Sequence, residues 1–264
     1  MRLELVTRAL FPTIVGLATS AATVAVLSAQ STPPMRADTD VPFAVGETLT
    51  YDVTWSSTLV AGSAVMTVLE RASSLGSSAY RIVAEGKPLP MLESLYHLYY
   101  RMETVLDSVT LLPHLSSLYS EEGVSTQTAT TTFERAARIA SFEVQSEPAV
   151  KVDVPVPQQA QDGLSAVYVL RTMALRAGES FSLPITDRGR VYSMKAAVNG
   201  HEPIAVPFGQ VDAWSLDITI TDEQGVPAAE NVAVWISDDE RRLPIRLQAN
   251  LPVGDFVLLL RDVK

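Results

Sequence analysis

The chain has 264 residues, carries a formal net charge of −10 and contains no cysteine. The missing cysteines exclude disulfide bonds and a lipid attached to an N-terminal cysteine. The acidic charge and the low aromatic content of 7% argue against binding to nucleic acid or to anionic lipid head groups.

The first 29 residues have the pattern of a secretory signal peptide. Arg2 and Arg8 flank a short polar start, a predominantly apolar run covers residues 9–27, and small residues follow at Ser28 and Ala29. We expect cleavage near Ser28 or Ala29 and export to the periplasm or the extracellular space. The alternative is an uncleaved N-terminal helix that anchors the protein, because the run approaches the ~20 residues that a bilayer requires.

Residues 30–42 are predicted to be a short disordered lead, and residues 43–264 a single β-rich domain. The clearest strand covers residues 47–56, where Leu49, Tyr51, Val53 and Trp55 alternate with polar residues. This pattern predicts one buried face, which includes Trp55, and one solvent-exposed face. Similar patterns predict further strands over residues 62–69, 80–85, 96–106, 116–132, 133–145 and 150–154.

A helix is predicted to begin after Asp162, whose carboxylate can accept hydrogen bonds from the free N–H groups of a first helical turn. The helix is expected to run to about residue 176 and to stop at Gly178. Most of its circumference is apolar, so it has to be covered on more than one side. The apolar positions are Leu164, Ala166, Val167, Tyr168, Leu170, Met173, Ala174, Leu175 and Ala177.

Strand patterns resume after this helix, over residues 181–185, 190–198, 211–221, 231–237, 243–251 and 255–260. The linkers at residues 187–189 and 237–241 have the length of hairpin turns, so most strands should be antiparallel neighbours. The predicted fold is mainly β: a large curved antiparallel sheet or barrel-like sheet, with one principal helix packed against its concave side.

Catalytic and metal-binding motifs are not evident. His97, His114 and His201 are scattered without the spacing of metal ligands, and the acidic turn Asp238-Asp239-Glu240 fits local turn chemistry. The sequence contains no nucleophile elbow, phosphate loop or zinc-protease motif. We therefore expect no metal, no cofactor and no enzymatic activity.

Several large residues could line an apolar pocket on the concave side of the sheet. Each of them also fits as ordinary core, so the pocket is predicted from the architecture and not from any single residue. The candidates are Tyr51, Trp55, Tyr96, Tyr100, Leu170 and Trp235, with Leu98 between two of the tyrosines.

Three groups of residues resemble a known family. They are residues 43–51 with Trp55 and 61–62, residues 161–165 with Tyr168, Arg171 and Gly178, and residues 234–239 with 242–244. Their order and spacing resemble the bacterial envelope family called domain of unknown function 3108, over nearly the whole chain after the signal peptide. The resemblance implies an exported or lipid-anchored protein without assigned activity, although this chain lacks the cysteine that a lipid anchor needs.

The leading hypothesis is a non-enzymatic envelope protein that holds an apolar group, such as a lipid acyl chain or the lipid of a client protein, in the concave sheet. A sheet around a helix is also similar to the lipoprotein carriers of the periplasm, by analogy of fold alone. One alternative is a structural or interaction module that recruits a partner chain through a strand edge or turn. The other is a hydrolase whose carboxylate, histidine and serine side chains converge in a cleft.

Overall fold

The computed structural model describes residues 38, 40–55, 59–94, 97–251 and 254–264. The predicted signal peptide, most of the lead and the candidate Tyr96 therefore lie outside the described residues. Within the described part of the chain, no helix has both the length and the apolar character needed to cross a bilayer.

Among the described residues, fourteen strands and two helices follow one another. The first half contains β1 (Thr48–Trp55), β2 (Leu59–Ser74), β3 (Ser77–Pro88), α1 (Pro90–Glu93), β4 (Leu98–Asp107), β5 (Pro113–Glu122), β6 (Ser125–Glu134), β7 (Ile139–Val144) and β8 (Val150–Pro155). The second half contains α2 (Gly163–Thr172), β9 (Ser180–Asp187), β10 (Arg190–Val206), β11 (Gly209–Thr221), β12 (Pro227–Ser237), β13 (Pro244–Leu251) and β14 (Gly254–Val263).

All fourteen strands belong to one antiparallel sheet, in the order β8-β7-β6-β5-β4-β3-β2-β1-β14-β13-β12-β11-β10-β9. Strands that follow one another in sequence are neighbours, except β8 and β9, which lie at opposite edges of the sheet. The pairing of β1 with β14 joins its two halves. The ladder leaves β8 and β9 as its two edges, so the sheet is not closed by backbone pairing. The predicted large antiparallel sheet is confirmed.

The α2 helix is packed on two sides, as its broad apolar surface predicts. Ala166 and Leu170 belong to a core cluster formed with residues of β9 to β12. Leu164, Tyr168 and Val169 belong to a second cluster, formed with residues of β2, β3 and β4. The helix therefore packs against both halves of the curved sheet, and its packing is consistent with the predicted concave position.

The N-terminus of α2 is capped as predicted, but its C-terminus comes four residues early. Asp162 accepts hydrogen bonds from the backbone N–H groups of Leu164 and Ser165, both at 2.9 Å. At the other end, Met173 has an extended backbone with φ −74° and ψ 143°. This extended conformation carries the chain on to Leu175, which is buried in the same cluster as Leu170. Burial of Leu175 against the sheet accounts for the early stop.

Two predicted strand segments are in fact hairpins. The segment 116–132 divides at Gly123, which has a φ of 62° and lies between β5 and β6. The segment 133–145 divides at the turn before β7, where Arg138 has a φ of 55°. The turn before β6 has two residues and the turn before β7 has four. A turn with an even number of residues leaves the alternation of side chains on each flank undisturbed, so periodicity alone does not reveal it.

The alternation predicted for β1 holds at its start and fails at its end. Leu49 and Tyr51 are fully buried, whereas Thr54 is buried and Trp55 is 48% exposed. The pairing of β1 with β2 shifts register between Val53 and Thr54. The expectation that Trp55 is buried is therefore wrong. Its side chain stays on the face of Tyr51 and Val53, but it lies at the end of the strand, where it is exposed.

Candidate functional site

One ladder of facing side chains runs along β1 and β14 from the core to the surface. Tyr51 faces Leu260, Val53 faces Leu258 and Trp55 faces Phe256, with no register shift among these pairs. Tyr51 and Leu260 are fully buried, whereas Trp55 is half exposed. Cross-strand partners share a face of the sheet, so an apolar surface continues from the core to one end of these two strands.

At that end, apolar side chains from three neighbouring strands lie next to one another. We call this group the apolar lip, and its members are Trp55 and Leu59, which are exposed, and Phe256, which is half-buried. Trp55 lies opposite Leu59 on one side and Phe256 on the other, and its ring stacks on that of Phe256 with centroids 6.5 Å apart and an interplanar angle of 11°. Leu59 is 61% exposed.

A further exposed apolar side chain, Met91, belongs to α1. The backbone N–H of Leu89 donates to the carbonyl of Ala61 at 2.9 Å, and Pro88 pairs with Gly62, so α1 lies beside the start of β2. The side chain of Met91 is 73% exposed.

The other predicted pocket residues do not form one site. Leu170 is buried between α2 and the sheet. Tyr51 is fully buried, and its hydroxyl donates to the carbonyl of Pro244 at 2.8 Å. Tyr100 donates to the carboxylate of Glu122.

Trp235 lies on a different strand, where its indole N–H donates to Glu202 at 2.7 Å and the guanidinium of Arg246 stacks 4.6 Å from its ring. The structure therefore brings only Trp55, among the described candidates, to the lip. Strand pairing is a tertiary feature, so no sequence signal grouped Trp55 with Leu59 and Phe256.

The structure keeps the three histidines in separate surroundings. The imidazole of His97 pairs with Glu121 and lies 3.7 Å from Glu93. The Nε2 of His201 lies 3.2 Å from Asp238. No cluster suited to a metal ion is found among the described residues.

His114 is the one histidine that meets both a serine and a carboxylate. Its Nδ1 lies 2.9 Å from the Oγ of Ser74, and its Nε2 lies 3.4 Å from Oδ2 of Asp107. Burial lowers the pKa of His114. Asp107 also accepts hydrogen bonds from the backbone N–H groups of Val109 and Thr110, as a turn residue does. Forty residues separate Ser74 from His114, so spacing gave no sign of this contact.

Two open depressions on the surface have volumes of about 580 Å³ and about 380 Å³. The larger lies between residues 41–47 and the side chains of Arg241 and Lys264. The smaller is lined in part by Leu183, Tyr192 and Asp222. Neither contains a residue of the apolar lip or the Ser74 and His114 pair.

A buried arginine organises the region between α2 and β1. The guanidinium of Arg171 is bound by both carboxylate oxygens of Glu47, at 2.6 and 2.8 Å. It also donates to the carbonyl of Pro42 at 3.1 Å, and Asp38 accepts a hydrogen bond from Ser108 at 2.7 Å. The part of the predicted lead that the structure describes therefore contacts the domain. In the sequence, Arg171 was named only among the residues that resemble the family.

Comparison with known proteins places these observations in a family. The profile of the family described as "Protein of unknown function (DUF3108)" matches residues 50–261. No curated protein matches the sequence. Among solved structures, a β-barrel-like protein of domain of unknown function DUF1849 from Brucella abortus is similar, with a TM-score of 0.53 at 12% identity over 83% of this chain and 97% of that chain. Similarity at this identity concerns the fold alone.

Two further solved structures match less closely. A protein assigned as exported, with a YmcC-like fold, from Bacteroides fragilis has a TM-score of 0.33 at 11% identity, over 86% of this chain and 100% of that chain. A protein assigned as a lipoprotein from Parabacteroides distasonis has a TM-score of 0.34 at 10% identity, over the same shares. Scores this low carry no argument about function.

Proposed function

This chain belongs to the DUF3108 family of proteins of unknown function, and on that premise we propose that it is a non-enzymatic, exported protein of the bacterial cell envelope that binds an apolar group at the apolar lip. The expected ligand is a lipid acyl chain, free or attached to a client protein. The observation that carries the proposal is the stack of Trp55 on Phe256 beside the exposed Leu59.

The lip supports the proposal because large contiguous apolar patches on a soluble protein usually serve to bind something. Trp55, Leu59 and Phe256 come from three different strands that pairing sets side by side, so the patch is not the chance exposure of one side chain. Two parallel aromatic rings also offer a flat surface on which an acyl chain can lie with little loss of rotamer freedom.

The site proposed is the lip and not the concave interior of the sheet. Leu170 and Tyr168 of α2 are almost fully buried against residues from opposite halves of the sheet. A ligand inside the sheet would have to displace this helix, whose Arg171 is held by a buried ion pair. Binding at the lip requires no such movement.

Export is supported by the sequence of residues 1–29 alone, with its arginines followed by an apolar run and small residues. N-terminal sequencing of the protein isolated from the periplasm of an expressing bacterium tests this part. A start close to residue 30 is expected. An intact N-terminus in the membrane fraction would instead favour the uncleaved anchor.

Ligand binding is tested by titrating the purified chain with a brominated fatty acid and following tryptophan fluorescence. The chain has three tryptophans, at positions 55, 214 and 235. We expect saturable quenching, because bromine atoms on the bound chain lie against the ring of Trp55. The Trp55→Ser variant should lose both the quenching and the binding of a radiolabelled fatty acid.

The matched control is Leu75→Ser, which removes another exposed apolar side chain at the far end of β2. This variant should bind like the wild type. If the wild-type chain shows no saturable binding, or if both variants lose binding equally, the lip is not an acyl-binding site.

A further inference from the structure

Strand β8 has an unoccupied edge. It is the last strand of the sheet on its side and pairs only with β7 among the described strands. The other edge strand, β9, is partly covered, because Gln161 donates to Pro184 and accepts from Thr186, both at 2.8 Å. Val150 and Val152 of β8 are 50% and 40% exposed. An edge with exposed valines is a template for pairing with another strand.

The turn between β9 and β10 does not cover this edge. A Cβ atom on Gly189 would lie 3.3 Å from the Cβ of Val152 and 3.4 Å from the Cβ of Phe142. Because Val152 and Phe142 face each other across the β7–β8 ladder, the turn lies over the face of that ladder. The backbone groups at the outer side of β8 therefore remain available.

The register identifies which residues present those backbone groups. The N–H of Val156 donates to the carbonyl of Arg138 at 2.8 Å at the end of the β7–β8 pair. In an antiparallel ladder, bonded and non-bonded pairs alternate. Residues 150, 152 and 154 therefore bond toward β7, and Lys151 and Asp153 direct their N–H and C=O groups to the open edge.

The sequence of β8 is complementary to itself in the antiparallel direction. It reads Val150-Lys151-Val152-Asp153-Val154, so pairing two copies about Val152 sets Lys151 of each copy opposite Asp153 of the other. Both charged side chains are exposed, at 59% and 55%. Opposite charges on directly facing residues favour such a pair, and the same two residues supply its backbone hydrogen bonds.

From this complementarity we propose that the β8 edge is the interface of a twofold symmetric dimer, in which two copies of the chain join their sheets. Such an interface is isologous, since the same patch serves on both copies. The proposal takes up the interaction function expected as an alternative, and it does not depend on ligand binding at the apolar lip.

Sedimentation velocity of the purified full chain over a concentration series tests the proposal. A reversible monomer–dimer equilibrium is expected for the wild type. The Lys151→Asp variant places like charges opposite each other twice, and it should raise the dimer dissociation constant about tenfold. The swapped double variant Lys151→Asp with Asp153→Lys restores both opposite-charge pairs and should recover the dimer.

The control is Lys195→Asp, which makes the same change of charge at an exposed position of β10. It should leave the equilibrium unchanged. Circular dichroism shows whether each variant keeps its strands. A wild-type chain that is monomeric at every concentration, a Lys151→Asp variant that dimerises normally, or a swapped variant that stays monomeric would each overturn the proposal.

Discussion

Arg171 and Glu47 form a buried, two-point ion pair that fastens α2 to the segment before β1, with N–O distances of 2.6 and 2.8 Å. The same guanidinium donates to the carbonyls of Arg241 and Arg242 in the turn between β12 and β13, both at 3.0 Å. One side chain therefore connects the helix with two distant parts of the sheet, and every nitrogen of its guanidinium has an acceptor.

Removing Glu47 should destabilise the fold strongly. The Glu47→Ala variant leaves a guanidinium that is fully buried without its counter-charge. Such a loss costs about 3–5 kcal/mol of unfolding free energy. Urea denaturation measures it. As a control, Glu70→Ala breaks the exposed pair with Arg81 and should cost about 0–1 kcal/mol. Equal, small losses in both variants would show that the buried pair does not stabilise the fold.

Two buried tyrosines allow a matched test of hydrogen bonding. The hydroxyl of Tyr51 donates to Pro244, whereas the hydroxyl of Tyr168 has no hydrogen-bond partner among the described residues. The Tyr51→Phe change leaves a buried carbonyl unpaired and should cost about 1–3 kcal/mol. The Tyr168→Phe change removes an unpaired polar atom, so the stability should stay equal or rise. Urea midpoints in the reverse order would contradict the assigned contacts.

Placing a charge at Leu170 should unfold the domain. The Leu170→Asp change puts an unpaired carboxylate between α2 and the sheet, at a cost of several kcal/mol, which is comparable to the total stability of a domain. Loss of cooperative thermal unfolding, followed by circular dichroism, is the expected result. Leu75→Asp, at an exposed turn position, should unfold like the wild type. A stable Leu170→Asp variant would mean that the helix is not packed as described.

Stability should fall as the pH drops below the usual pKa of histidine, partly because of His114. Burial lowers the pKa of His114 below 6.5, although the nearby Asp107 acts in the opposite direction. Between the folded and unfolded pKa values the unfolded chain binds more protons than the folded chain. The contribution of neutral His114 to the unfolding free energy is thus complete above pH 6.5. It is lost as the pH falls from 6.5 through the lower pKa of the folded chain.

The His114→Asn variant tests this dependence, because asparagine can keep the contact to Ser74 but does not titrate. Its unfolding free energy should decline less than that of the wild type between about pH 7 and pH 5. Asp107 does not obscure the comparison. Burial would raise the pKa of Asp107, but hydrogen bonds from Ser77 and Thr110 outweigh burial and lower that pKa. The stability that ionised Asp107 contributes is therefore lost only at lower pH. If the unfolding free energies of the wild type and the His114→Asn variant decline in parallel with pH, His114 is not the source of the pH dependence.

The sequence by itself determined the class of the fold, the start of α2 and the turn at Gly189. These features depend on local chemistry: side chains alternate along a strand, a carboxylate such as that of Asp162 caps the next helical turn, and glycine accepts a positive φ. Each can be judged within about ten residues of chain, so one sequence suffices for them.

Only the tertiary structure decided three features. They are the apolar lip, the contacts of the buried Arg171 side chain, and the position of β8 at an edge of the sheet. Trp55 meets Phe256 across some two hundred residues of sequence, and Glu47 meets Arg171 across 124. Such contacts depend on the order of strands in the sheet and on register shifts of a single residue, and many pairings satisfy the same periodicity. Only the folded sheet selects one of these pairings, because only one combination of strand order and register buries the apolar core residues of all strands at once.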